Sequence, residues 1–286
     1  MAGRIIVSGD DGLCTYDCPP KNILAVQGLS GMGAICAGED CLFAASQKEN
    51  MIWQFHPETL APMAVFSGGP GISQLMLSRD EKRLYALCSE ADSLLMIHAQ
   101  SGVPLMLARA GVNPCAMAID ERGETIAVAG GACGEVLLLC AKTLALVGRL
   151  DTCGVVFSVA VAQGHIFALS LTETMDSVLT SFLPCGVRKE IQLCGMPGAL
   201  CVMSDCIAAA THLGMFMVAM DGSRILGQLG VPGRSGRLLV MPEGMLLTDM
   251  WSDSLFWCAH TGRQFIRVAE GVRDVLCLKS FDEVNV

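Results

Sequence analysis

The sequence predicts an all-β fold: a seven-bladed β-propeller with four antiparallel strands per blade, closed by N-terminal strands and a C-terminal strand that share one blade. Three observations predict it. A two-strand pattern recurs at a nearly constant spacing, each recurrence extends into two further short apolar runs, and the two ends of the chain supply complementary fragments of the same unit.

The pattern is plain where "SQLMLSRDEKRLYALCS" (residues 73–89) is set beside "CAMAIDERGETIAVAGG" (115–131). Each has an apolar run, a charged turn and a second apolar run. The second runs begin at Leu42, Leu84, Ile126, Ile166, Ile207 and Leu246, at steps of 42, 42, 40, 41 and 39. A third run follows in "MIWQFHPETL", "LLMIHAQSGV", "VLLLCAKTLA", "MFMVAMDGSR" and "LFWCAHTGRQ", and a fourth in "APMAVF", "PLMLAR", "LALVGRL", "RILGQLG" and "RQFIRVA". Four strands in about 40 residues is the period of a propeller blade. Helical repeats of that length need long runs at a spacing of 3.6, and the chain has none of ten residues or more. The predicted blades span approximately 32–69, 70–111, 112–153, 154–194, 195–230 and 231–271. What remains, 272–286 and 1–31, reads as one first strand plus strands two to four, with Ile5 in the aligned position. Together they make a closing blade that removes the exposed sheet edges and ties down the ends, giving one domain over 1–286.

Composition agrees. Apolar residues make up 52% and charged residues 16%, enough for a large core, and the 31 glycines suit many tight turns. The net charge of −9, with no cluster of Lys and Arg, argues against nucleic acid as a partner. Residues 152–172 lack Asp, Glu, Lys and Arg and are long enough to cross a bilayer. The interruption Gln163-Gly164-His165 makes them two strands around a turn instead. The N-terminal apolar run, Ile5 to Val7, is too short for a signal-peptide core. The fifteen cysteines, an odd number set largely in apolar strands with no CxxC pair, read as reduced thiols in a cytoplasmic protein. A monomer is expected, with no membrane contact and no cofactor.

The unit at 113–150 resembles the YVTN-type repeat of bacterial seven-bladed propellers, the YncE-like group. Pro114, Asp120, Gly123, Val128 and Leu138-Leu139-Cys140 occupy the family's places, and Ser101-Gly102 supplies the Thr-Gly-like turn of the blade before. The Tyr-Val-Thr-Asn tetrapeptide itself is absent, and blades four to six depart from the pattern. The resemblance implies that the loops from strand four to the next blade, and from strand two to strand three, share one face where ligands bind. That face would carry Glu90, Asp92, Glu173, Asp176, His212, Arg234, Trp251, Glu270, Arg273 and Asp274. These are either ordinary solvated turn residues or a site for a small polar ligand or a protein partner.

Specific chemistries are harder to place. His56 and His98, 42 residues apart, end third strands on the opposite face, which leaves His212 on the candidate face and no multi-histidine metal site. A carboxylate-only Ca²⁺ or Mg²⁺ site stays open, but calcium-loop spacings are missing, so no metal is assigned. Cys133 and Cys153 lie in loops without a nearby base and read as incidental thiols. Trp53 and Trp257 fall in third strands as packing residues; Trp251, in the loop "TDMWSDS", is either packed or an interface residue. Two functions compete. One is a non-catalytic scaffold that binds a ligand or protein at its top face. The other, implied by similar propellers, is a lactonase-like hydrolase using Glu90, Glu173 and Arg234 or Arg273. A deep polar pocket with a free acid pair would favour the enzyme; a broad face with exposed apolar residues would favour the scaffold.

Overall fold

Each apolar run pairs with the next across a tight turn, so the local hairpin pattern builds the sheets directly. The computed structural model describes residues 4–46, 48–260 and 264–278. Gln47, part of one predicted loop, and the outer ends of the closing blade lie outside them. The strands form seven sheets of four, all antiparallel. Blade one runs Met32–Ala37, Leu42–Ser46, Met51–Phe55 and Pro62–Ser67. The first strands of blades two to six are Ile72–Leu77, Ala116–Ile119, Val155–Ala162, Pro197–Val202 and Ser235–Met241. The single helical segment among the described residues is a 3-10 turn at Ser89–Ala91.

There is no central core. The buried side chains fall into seven clusters, and each is shared by two neighbouring sheets. The cause is the two-residue alternation of a strand covered on both faces. In blade three, Ile126 and Val128 pack with Tyr85, Leu87 and Leu94 of blade two. Ala127 and Ala129, which alternate with them, pack with Val156, Val159 and Ala168 of blade four. Tyr85 is fully buried in the first of these clusters, and its hydroxyl donates to the carbonyl of Ala141 in blade three at 2.7 Å. Tyr85→Phe orphans that carbonyl and should cost about 1–2 kcal/mol, read as a lower midpoint in urea with an unchanged slope.

The last sheet has the order Val272–Leu278, Arg4–Gly9, Gly12–Asp17, Ile23–Gln27. Arg4 pairs with Leu278, and Val7 with Val275. Here too alternate residues face opposite neighbours. Ile5 and Val7 join Leu246, Leu255 and Trp257 of blade six; Ile6 joins Met32, Ile35 and Leu42 of blade one. Gly9 completes the seam, because a Cβ there would collide with the carbonyl oxygen of Gly271.

Blade six corrects one step of the sequence alignment. Leu42, Leu84, Ile126 and Ile207 all face the preceding blade. Leu246 faces the following one, and Met245 takes the aligned place beside Leu238 and blade five. The spacing from Ile207 is therefore one residue shorter than the letters indicate. An error of one in a two-residue period exchanges the two faces.

Candidate functional site at the mouth of the central cavity

The first strands of all seven blades line one cavity of about 560 Å³ on the axis. Its lining comes from their starting ends, from Gly33 and Ala34 of blade one round to Val272, Arg273 and Asp274 of the closing blade. This is the face on which the loops into each first strand emerge. Its charged lining is Arg234, Arg237, Arg273, Asp249, Asp253 and Asp274.

Five of these six are tied into the fold. Asp274 Oδ2 accepts from the amide of Ile35 in blade one at 3.1 Å, and Oδ1 accepts from its neighbour Val275 at 2.8 Å. Arg237 stands 3.7 Å from the same carboxylate. Arg273 lies between Asp10 and Asp253, 3.4 Å from each. Asp249 is almost fully buried. Its Oδ1 accepts from the amides of Arg234 (2.7 Å) and Trp251 (3.2 Å), while Oδ2 accepts from the amide and hydroxyl of Ser252. Burial by itself works against this carboxylate's charge, but the hydrogen bonds from Ser252, Trp251 and Arg234 together outweigh it and hold Asp249 below the usual aspartate value.

Arg234 is the exception. It precedes the first strand of blade six and crosses two blades. Its Nε donates to the carbonyl of Pro197 in blade five at 2.8 Å, and its guanidinium lies over the ring of Phe157 in blade four at 4.7 Å. Nη2 is buried with no hydrogen-bond partner among the described residues. Burial pushes the guanidinium below its ordinary value, yet an arginine keeps its charge at neutral pH. Phe157 offers a cation–π contact; among the described residues no carboxylate balances the charge. A positive group, partly desolvated and facing a cavity, fits an anion.

Beside it the rim is apolar. Met250 lines the cavity, and a Cβ on Gly236 would meet its side chain. Trp251 is 59% exposed, Met250 55% and, in the blade-five loop, Leu213 57%. Trp251 lies against His212, ring centroids 5.5 Å apart. His212 Nδ1 accepts from the amide of Met196 at 2.8 Å, which fixes its ring. Asp249 thus positions both a cation and an exposed aromatic.

Of the residues the sequence nominated, the structure brings Arg234, Arg273 and Asp274 to the cavity, with Trp251 and His212 on its rim. Glu90, Asp92, Glu173 and Asp176 are exposed and outside the lining. Asp92 and Asp176 serve as loop ties, accepting from the amides of Asn113 (2.7 Å) and Gly195 (3.1 Å). Glu270 ends an outer strand, paired with Arg267 at 2.7 Å. His56 and His98 play equivalent parts in their blades, each ring accepting turn amides through Nδ1. Cys153 donates to Glu190 at 3.2 Å, a contact that raises its thiol above the ordinary value and keeps it protonated. Among the described residues no group of three or more His, Cys, Asp or Glu is placed to hold a metal ion. None of the described helices is long and apolar enough to cross a membrane. Sequence reasoning missed Asp249, Phe157, Met250 and Leu213. Only Asp249 left a signal, as an Asp followed three residues later by Ser in a turn.

Seven four-stranded sheets in a closed ring around an axial cavity define the class: a seven-bladed β-propeller. No known family's sequence profile matches the chain, and no curated protein matches it. Solved structures do. A protein of unknown function from Desulfotomaculum acetoxidans is 12% identical with a TM-score of 0.79, the match covering 97% of this chain and 99% of that one. A candidate 6-phosphogluconolactonase from Bacteroides fragilis is 11% identical with a TM-score of 0.76, covering 97% and 98%. The WD40 domain of Neurospora crassa Pan2 is 16% identical with a TM-score of 0.63, covering 81% and 76%. At these identities the likeness is one of fold.

Proposed function

We propose that this chain is a non-catalytic binding propeller whose ligand presents an anionic group, a carboxylate or a phosphate, to Arg234. One observation carries the reading: the Arg234 guanidinium lines the cavity over Phe157, its Nη2 is buried without a partner, and among the described residues no carboxylate pairs with it. An unpaired, partly desolvated charge is costly, and an anionic ligand would relieve the cost. Within this reading the chain belongs near the YVTN-type group, on the strength of its 113–150 unit. It works in a reducing cytoplasm, which suits the exposed free thiols Cys133, Cys153, Cys185 and Cys194.

The lactonase reading has in its favour two candidate 6-phosphogluconolactonases among the similar structures. Fold alone does not carry an activity, and hydrolysis needs a free general base in reach of the substrate. Asp249 accepts from three amides, Asp274 from two amides beside Arg237, and Asp253 is paired with Arg273. Glu90 and Glu173 lie outside the lining.

The test is a thermal-shift and calorimetric titration with phosphate and citrate. Wild type should gain several degrees at saturation; Arg234→Met should lose at least tenfold in affinity. A six-membered sugar lactone should hydrolyse at the buffer rate. Turnover by wild type that disappears in Arg273→Ala would replace the binding reading with the enzymatic one.

A further inference from the structure

The cavity accounts for Arg234 but not for the apolar rim next to it. Met250, Trp251 and Leu213 are each more than half exposed and belong to the hairpin loops of blades five and six. They form one surface. Met250 rests over Gly236, Trp251 touches His212, and a Cβ on Gly195 would meet both His212 and Leu213. This surface adjoins the cation. One oxygen of Asp249 accepts from the amides of both Arg234 and Trp251, so the two backbones stand no more than about 6 Å apart. Held aromatic surface beside a half-buried arginine is the composition of interface anchors.

We infer that the rim of blades five and six binds a polypeptide by its free C-terminus, the terminal carboxylate reaching Arg234 and the last apolar side chains covering Met250, Trp251 and Leu213. This rests on the anion reading and names its ligand. Three features select this occupant. The rim is open, so a small acid would leave its apolar part half in water, whereas a chain continuing outward excludes water from both surfaces. The protein carries a net charge of −9, which repels polyanions at long range; a single carboxylate flanked by apolar residues meets much less of that repulsion. Finally, among the described residues the one cavity cation without a carboxylate partner is a single guanidinium, matched to one carboxylate, and it adjoins the part of the lining that continues into exposed Met250 and Trp251.

The experiment uses N-acetylated hexapeptides ending in Leu, Phe or Met, with apolar residues at alternate positions, each as free acid and as C-terminal amide. Binding is read by calorimetry and by the change in tryptophan fluorescence, which reports on Trp251 because Trp257 is buried and Trp53 packs between blade one and the closing blade. At least one free acid should bind saturably. Its affinity should fall tenfold or more as the amide, in Arg234→Met and in Trp251→Ala. Trp251→Ala removes an exposed side chain and should fold normally, read as a wild-type circular dichroism spectrum and urea midpoint. Amides that bind as well as acids, or binding that survives either substitution, overturn the proposal. If no peptide binds while phosphate still stabilises the protein through Arg234, the polypeptide ligand is wrong and the anion site stands. If phosphate fails as well, both fall.

Discussion

Asp249→Ala is expected to lower stability by about 2–4 kcal/mol and to abolish anion binding together. The carboxylate is 5% exposed and accepts from three backbone amides and one hydroxyl. Hydrogen bonds to a charged group contribute roughly 1.5–3 kcal/mol each. Water reaches some of the amides freed by the substitution, so the total falls well below the sum. The loop carrying Arg234 and the loop carrying Trp251 lose their common anchor, and the cation no longer keeps its place over Phe157. Acid gives an independent readout. The folded pKa of Asp249 is depressed, so its contribution is complete above the unfolded value of about 3.9 and is lost as the pH falls through the lower folded value. Denaturant midpoints measured from pH 6 down to pH 2 should therefore converge for wild type and Asp249→Ala at the acid end. A constant gap across that range would mean that the carboxylate's charge has no part in the effect.

A chain ending at Gly271 is expected to show no cooperative unfolding transition. It lacks the first strand of the closing blade, and with it the burial of Val272, Val275 and Leu276, which are 4%, 0% and 8% exposed. At roughly 1.5–3 kcal/mol per side chain, that loss rivals the total stability of an ordinary domain, about 5–15 kcal/mol. It also uncovers Ile5, Ile6 and Val7 along an unpaired edge, a template for aggregation. Ile6→Ala in the intact chain separates the effect of packing from that of closure. It should cost about 2–5 kcal/mol while keeping a single sharp transition by circular dichroism. A truncated chain that melts cooperatively near the wild-type temperature would show that the ring holds without its clasp.

The architecture was legible because a repeat multiplies a weak signal. One apolar pentad such as "LFAAS" says little, but six at a spacing near 40 define strands, blades and the meeting of the ends. The slip at Leu246 shows the limit of that reading. "GMLLTDM" offers apolar residues at both parities, so the letters could not choose between Met245 and Leu246, and only contact with the neighbouring sheets decides. The site was less legible still. Arg234, Arg273, Asp274, Trp251 and His212 were named because they sit in loops of the face on which the cavity opens, and that face came from a family resemblance rather than from spacing. Glu90 and Glu173 were named by the same rule and lie outside the cavity. Whether a loop side chain turns toward the axis depends on its bond to another loop, as Asp249 bonds to Arg234 across 15 positions of sequence, and no periodicity encodes such a bond.

Arg4 and Leu278 are neighbours in the closing sheet, at the end of the strands remote from the cavity, which opens where Val272 begins. A tether, an affinity tag or a sensor surface attached at Arg4 or Leu278 therefore hangs from the back of the disc. An immobilised molecule would present its arginine and tryptophan outward, unobstructed by its own attachment.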